Sequence, residues 1–230
     1  PGMLIAVGGC VASQEGENVI RRAPCVDVVF GPQTLHRLPD MLRARVETGR
    51  PQVDVSFPEI EKFDHLPAPK AHGAAAFVSI MEGCSKYCSY CVVPYTRGIE
   101  RSRDPETILA EVRSLFANGY REVTLLGQNV NSYRAGEVGF PELIRRVADV
   151  SPLLRVRFAT SHPKDMSDAL LEAMASRPNI CRAIHLPAQS GSTGMLRRMN
   201  RKYTREWYLD RVAAIRRYLP DCAVTTDLIA

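Results

Sequence analysis

The sequence predicts an α/β fold built on a parallel sheet, and three observations lead there. Short apolar runs recur at Phe77–Met81, Val123–Leu126, Leu154–Phe158, Ala183–Leu186 and Val224–Ile229, with helical patterns between them. The spacing of roughly 30 to 45 residues suits right-handed strand–helix–strand units, so five parallel strands are expected. Small and polar residues follow the runs: Glu82-Gly83-Cys84, Gly127-Gln128-Asn129, Thr160-Ser161-His162-Pro163 and Pro187-Ala188-Gln189-Ser190-Gly191. A parallel sheet, open or closed, gathers its ligands at the carboxyl ends of its strands.

The amino-terminal segment reads as a separate half-domain, over residues 1–48. A strand over Leu4–Val7 leads through Gly8-Gly9 into a helix from about Ser13, a plausible N-cap, to Arg22. Val26–Phe30 is a second strand. Leu35, Leu38, Leu42 and Val46 then recur at helical spacing over about Thr34–Val46, and Gly49 closes that helix. Four prolines, Pro51, Pro58, Pro67 and Pro69, interrupt every period that follows, so residues 49–72 are expected to be a linker.

Residues 73–230 hold the repeated strand–helix pattern. Its first helix has Asp104 as N-cap, Pro105 at the first helical position, Ile108, Leu109, Val112, Leu115 and Phe116 on one face, and Gly119 beyond its end. Its last starts at Thr204 and carries Tyr208, Val212, Ile215 and Leu219 on one stripe until Pro220 stops it. Trp207 is expected to pack. The chain opens on an apolar run without a signal pattern and closes on a strand-like one, so an internal fragment is expected, cut at both ends.

Composition bounds the function loosely. An apolar content of 45% supports a packed core and excludes disorder. Thirty Lys and Arg against twenty-five Asp and Glu leave +5, which permits an anionic partner without requiring one. The longest apolar stretch falls far short of the ~20 residues of a membrane span, and a soluble protein with no membrane partner is expected.

Seven cysteines cannot all pair, and three lie within eight residues, Cys84-Ser85-Lys86-Tyr87-Cys88-Ser89-Tyr90-Cys91. Such crowding suits metal ligation in a reducing compartment, with the cytoplasm as the default. Three thiolates leave either an unfound fourth ligand or an open coordination position. A zinc knuckle completed by His72, His162 or His185 is one reading, and an iron–sulfur cluster with one free iron is the other. Cys25, Cys181 and Cys222 read as structural thiols, and His162 and His185 as structural histidines.

The C-x3-C-x2-C loop after the first strand of a parallel repeat, with Tyr90 just before its last cysteine, resembles the radical S-adenosylmethionine enzymes. The flanks Ser79–Cys84, Val92–Gly98 and Glu100–Arg103, the segment Leu125–Asn131, and the Thr160 and His185 segments are similar to the methylthiotransferases, within them the type that modifies tRNA. Gly8–Gln14 and Phe30–Pro39 resemble that family's amino-terminal domain. The resemblance implies a partial (βα)6-type radical SAM barrel, preceded by part of an α/β methylthiotransferase domain.

It further implies that Cys84, Cys88 and Cys91 hold a 4Fe-4S cluster that chelates S-adenosylmethionine, with Tyr90 on the adenine side. Cys10 takes the place of the third ligand of a second, auxiliary 4Fe-4S cluster, whose first two ligands would lie upstream of Pro1. Gln128, Asn129, Ser161 and Gln189 would line the S-adenosylmethionine cleft, though they also suit turn hydrogen bonds. Arg97, Arg101 and Arg103, with Arg197, Arg198, Arg201 and Lys202, would meet phosphates, unless they form an ordinary solvated face.

The implied reaction is radical methylthiolation at C2 of N6-isopentenyladenosine in a tRNA anticodon loop, with flavodoxin or ferredoxin as electron donor and a monomeric, cytoplasmic enzyme. The isolated fragment is expected to be inactive. The rival expectations are a sister methylthiotransferase acting on threonylcarbamoyl-adenosine or a ribosomal-protein aspartate, a zinc-stabilised RNA-binding module, and an electron-transfer protein.

Overall fold

The computed structural model describes residues 2–57 and 73–229 and divides into two compact units, Pro1–Ala68 with Val92–Ile99, and Pro69–Cys91 with Glu100–Ala230. His72 and most of the expected linker lie outside the described residues.

The first unit is a parallel three-stranded sheet, β1 (Ala6–Gly8), β2 (Val28–Phe30) and β3 (Gln52–Asp54), in that spatial order. β3 falls in the segment expected to be linker: three residues carry no period, and only pairing with β2 makes them a strand. The expected helix from Ser13 to Arg22 is instead two short ones, α1 (Cys10–Glu15) and α2 (Glu17–Arg22), separated by Gly16 at φ 51°. Gly9, not Ser13, stands at the N-cap of α1. The second expected helix begins as a 3-10 turn over Pro32–Arg37 and becomes α3 (Leu38–Thr48), ended by Gly49 as expected. Met41 is its buried residue, while Leu35 and Val46 face outward, so the anticipated stripe is not the packed face. A short helix, α4 (Val93–Arg97), belongs to this unit, and Gln33 Nε2 donates to the Arg97 carbonyl at 3.0 Å.

The second unit carries the five parallel strands the pattern predicts. β4 (Ala75–Ser79), β7 (Glu122–Leu126) and β10 (Arg155–Phe158) form one parallel sheet in the order β10-β7-β4. β11 (Ala183–His185) and β12 (Ala223–Thr225) pair in parallel beyond it, and a single bridge from Val156 to Ile180 links their side to β10. Two small antiparallel pairs decorate the loops: β5 (Met81–Glu82) with β6 (Arg101–Ser102), and β8 (Arg134–Ala135) with β9 (Val138–Gly139).

The covering helices begin where local chemistry says they should. In α5 (Pro105–Ala117), Asp104 accepts from the Thr107 N–H at 2.9 Å, satisfying an amide the helix leaves unpaired, and Ile108, Leu109, Val112 and Leu115 are buried. α6 (Phe140–Ala148) buries Phe140, Leu143, Ile144 and Val147. In α7 (Asp168–Ala175), capped by Ser167, Leu170, Leu171, Ala173 and Met174 are buried. α8 (Thr193–Arg198) is capped by Ser192, and α9 (Arg205–Tyr218) by Thr204. The apolar faces meet Val78, Ile80, Val123, Leu125, Val156 and Ile184 in one continuous core. Trp207, expected to pack, is 43% exposed with Arg211 stacked on it. No described helix is long and apolar enough to cross a membrane.

Candidate active site: a three-thiol loop on the strand-end rim

The site is built at the carboxyl ends of β4, β7, β10 and β11. The chain leaves β5 at Glu82, turns at Gly83, whose N–H donates to Gln128 Oε1 at 2.8 Å, and enters the cysteine loop. Gln128 stands just past β7, so the second strand's end fixes where the loop begins.

The loop's far side is held by the turn after α8. Ser89 N–H donates to the Met199 carbonyl at 3.1 Å, and Ser89 Oγ to that of Arg198 at 3.0 Å. Asn200 Nδ2 donates to the Tyr87 carbonyl at 2.7 Å. Tyr87, Asn200 and Lys202 adopt positive φ, as do Thr160 and Gln189 elsewhere on the rim. Backbone of this kind in non-glycine residues costs about 1–3 kcal/mol each and collects where surroundings over-determine it.

Cys84, Cys88 and Cys91 are half-buried free thiols. The Cys91 N–H donates to the Cys88 carbonyl at 2.9 Å, folding the loop back on itself. Burial pushes the Cys84 thiol up, and the charges of Glu100, Cys88 and Cys91 add to the shift against an opposing hydrogen bond from the Lys86 backbone. Among the described residues no three His, Cys, Asp or Glu side chains converge as ligands of one ion. A cubane asks for something else, since each of its thiolates binds a different iron.

Two cations stand at this loop: Lys86, which belongs to it, and Arg201, which the resemblance places at a phosphate. Lys86 Nζ is 2.8 Å from Asp165 Oδ2, with side chains 17% and 19% exposed. Desolvation alone would lower the Lys86 ammonium, but Asp165 and Glu100 outweigh it and hold it above its ordinary value. Desolvation likewise opposes ionisation of Asp165, and the bonds from Lys86 and Asn129 overcome it to keep the carboxyl low. Arg201, 5% exposed, places Nη1 3.3 Å from Cys88 Sγ and 3.4 Å from the Tyr90 hydroxyl. Its Nη2 donates to the Pro187 carbonyl at 3.2 Å and its Nε to Tyr203 at 3.0 Å.

Two buried polar atoms on this rim have no hydrogen-bond partner, Asn129 Oδ1 and His162 Nε2. Asn129 Nδ2 donates to Asp165 at 2.8 Å, and His162 Nδ1 accepts from the Lys164 N–H at 3.2 Å. Burial, then the charge of Arg201, drives the His162 pKa down to about 3, so the ring is neutral. Three thiols on one loop with a buried cation against one of them fit an anionic group, and the donor set suits an iron–sulfur cluster; Asn129 Oδ1, an unsatisfied acceptor, suits a hydrogen-bond donor instead.

The other expected site residues are spread over the rim, the core and the first unit. Ser161 is buried and its hydroxyl donates to the His185 carbonyl, which is a turn bond rather than a face offered to a cleft. Gln189 continues the rim, its N–H donating to the Asp227 carbonyl at 2.8 Å. Tyr90 is half exposed beside the cysteines. Arg103, expected at a phosphate, is 6% exposed, with Nη1 2.6 Å from the Ser79 carbonyl and 2.8 Å from Glu111. It is a structural residue under β4, and Arg201 too points inward, whereas Arg97 and Arg101 are half-buried. Cys10 opens α1 in the first unit, half-buried. Of the thiols read as structural, Cys222 is buried and Cys181 half-buried, whereas Cys25 is exposed. His185 bonds Thr225 at 3.0 Å and Asp227 at 3.2 Å across the strand pair.

A parallel strand–helix core with three thiols after its first strand defines a class, and the chain belongs to the Radical SAM superfamily, whose family profile matches residues 78–230. Curated relatives are closer in sequence. The tRNA-2-methylthio-N(6)-dimethylallyladenosine synthase of Stenotrophomonas maltophilia (strain K279a) is 56% identical over 232 residues, covering 99% of this chain and 49% of that protein. Proteins of the same name from Xylella fastidiosa (strain M23) and Acidovorax sp. (strain JS42) are 54% and 56% identical, each over 99% of this chain and over 49% and 52% of their own lengths. The chain thus spans about half the length of the curated relatives it matches.

Among solved structures, the cobalamin-dependent S-adenosylmethionine radical enzyme OxsB superposes with a TM-score of 0.69 at 16% identity, over 98% of this chain and 36% of that one. The radical S-adenosylmethionine methyltransferase TsrM from Kitasatospora setae gives 0.52 at 18% identity, over 68% of this chain and 30% of that one. At such identities the likeness is one of fold: this is a partial radical SAM α/β fold.

Proposed function

We propose that this chain carries the radical core of a tRNA methylthiotransferase, acting at C2 of N6-isopentenyladenosine beside the anticodon to give the 2-methylthio nucleoside. The observation that carries the reading is the cysteine loop at the carboxyl end of the first core strand, together with 54–56% identity along nearly all of this chain to synthases of that name.

Cys84, Cys88 and Cys91 are the residues to hold a 4Fe-4S cluster, and Cys10 one ligand of an auxiliary cluster. When bound, the cluster and S-adenosylmethionine together supply one-electron reductive cleavage and a hydrogen-abstracting radical, which acid–base chemistry cannot replace. The chain's own part is position and dryness. Asn129 Oδ1 and His162 Nε2 are a buried acceptor and a buried ring nitrogen for the polar groups of S-adenosylmethionine, and Tyr90, Gln128 and Gln189 are the further residues that the resemblance assigns to it. His162, held neutral, adds no positive charge beside a sulfonium. Asp165 fixes Asn129 through its amide, leaving the carbonyl oxygen free. Arg97 and Arg101 remain candidates for phosphate contact. A single-stranded anticodon loop lets its base enter a pocket at modest cost. The partners in this reading are tRNA and a flavodoxin or ferredoxin, in the cytoplasm, with a monomeric enzyme.

Expression of the complete gene in cells lacking 2-methylthio modification, followed by nucleoside mass spectrometry, tests the assignment. Appearance of 2-methylthio-N6-isopentenyladenosine supports it. Appearance of only the threonylcarbamoyl product overturns the substrate, and a colourless protein with stoichiometric zinc after anaerobic reconstitution overturns the cluster.

A further inference from the structure

Arg201 is a buried cation, 5% exposed, and among the described residues no carboxylate forms an ion pair with it. Its charge is met by two tyrosine hydroxyls, a backbone carbonyl and the sulfur of Cys88, with the Tyr203 ring 5.2 Å from the guanidinium carbon. An isolated charge is costly to bury, and arginines this deep are paired. The carbonyl and the tyrosine hydroxyls are neutral in their ordinary states, and a cysteine that ligates a cluster is a thiolate, so in the cluster reading Cys88 is the contact that carries the balancing negative charge.

We propose that Arg201 is the resident counter-ion of the cysteine loop: a positioning residue whose fixed charge stabilises the cluster's reduced state through Cys88. The inference rests on the reading of Cys84, Cys88 and Cys91 as cluster ligands. A reduced cluster carries one more negative charge than an oxidised one, and hydrogen bonds and charge at the ligating sulfur set where that balance falls. The low-dielectric surroundings magnify the effect, since Tyr203 and Pro187 shield the guanidinium from water. Tyr203 aims it: the phenol accepts from Arg201 Nε and packs edge-on against His162 at 5.6 Å, tying the cation to the core.

The test is a mediated redox titration of the reconstituted full chain, followed by the electron paramagnetic resonance signal of the reduced cluster, in wild type, Arg201→Gln, Arg201→Lys and Tyr203→Phe. Iron and sulfide content and visible absorption are measured first. Wild type that takes up no cluster overturns the ligand reading itself. With the cluster in place, Arg201→Gln should lower the ratio of reduced to oxidised cluster several-fold at a fixed applied potential. Arg201→Lys should keep most of it, because the charge stays, and Tyr203→Phe should fall between, because the fork loses its aim. Equal ratios in wild type and Arg201→Gln overturn the inference and leave the ligand reading standing. If Arg201→Gln is too unstable to load, Tyr203→Phe and Arg201→Lys decide: a ratio lowered in the former and kept in the latter supports it, and no change in the former overturns it.

Discussion

The side-chain amide of Asn200 donates to the backbone carbonyl of Tyr87 at 2.7 Å, joining the turn after α8 to the middle of the cysteine loop. Both residues adopt left-handed backbone, at φ 59° and 49°. Asparagine tolerates that region better than other non-glycine residues, so one side chain meets two requirements. Asn200→Ala forfeits both and should destabilise the second unit by about 1–3 kcal/mol. Asn200→Gly, which restores the backbone freedom alone, should recover part of the loss. Urea unfolding of the three proteins measures this.

The Lys86–Asp165 pair is four-fifths buried. Asp165→Asn leaves the ammonium with only the more distant Glu100, at 3.9 Å, and weakens the bond that orients Asn129. Removing one partner of a well-buried pair costs roughly 3–5 kcal/mol; the residual exposure here should bring the loss to about 2–3 kcal/mol. Replacing both partners, as in Lys86→Met with Asp165→Leu, should cost less than the single change. A double-mutant cycle by chemical denaturation reads it.

His162 gives the protein an acid limb. Its pKa is about 6.5 when unfolded and about 3 when folded, so as pH falls below 6.5 the unfolded chain takes up a proton that the folded one refuses. Stability from this group is therefore whole above pH 6.5 and is lost progressively toward pH 3, by up to about 1.4 kcal/mol per unit. Asp165, Lys86, Lys164 and Arg201 set the ring's surroundings. His162→Gln should flatten that slope between pH 6.5 and 4, as followed by unfolding at several pH values.

Gly127 leaves room for Met81. A Cβ at Gly127 would lie 2.5 Å from Met81 Cγ and 3.3 Å from its carbonyl oxygen, inside a side chain that is itself buried. Gly127→Ala should cost about 1–3 kcal/mol by overpacking, and Met81→Ala in the same chain should return part of it. Thermal melts of the single and double variants are the measurement.

What was legible in the sequence was local. Asp104 and Pro105 announce α5, Thr204 and Pro220 bracket α9, and the apolar runs locate all five parallel core strands. β3 was not legible, because three residues between proline-rich flanks acquire strand character only through β2. The split of α1 from α2 turns on Gly16, whose positive φ a helical pattern tolerates on paper. At the site, the thiols were legible from spacing alone. Arg103 and Arg201 were not, since a basic residue reads as surface until a distant carboxylate or sulfur turns it inward: Glu111 for one, Cys88 for the other.

Cys88 and Arg201 lie 113 positions apart. At a synthesis rate of about 5–20 residues per second, the sulfur leaves the ribosome roughly 6–23 s before the guanidinium that will face it. Through that interval the nascent loop has its thiols but neither the cation nor the Asn200 clasp. The thiol loop thus takes its final surroundings only once the turn after α8 has been made, long after its own sulfurs.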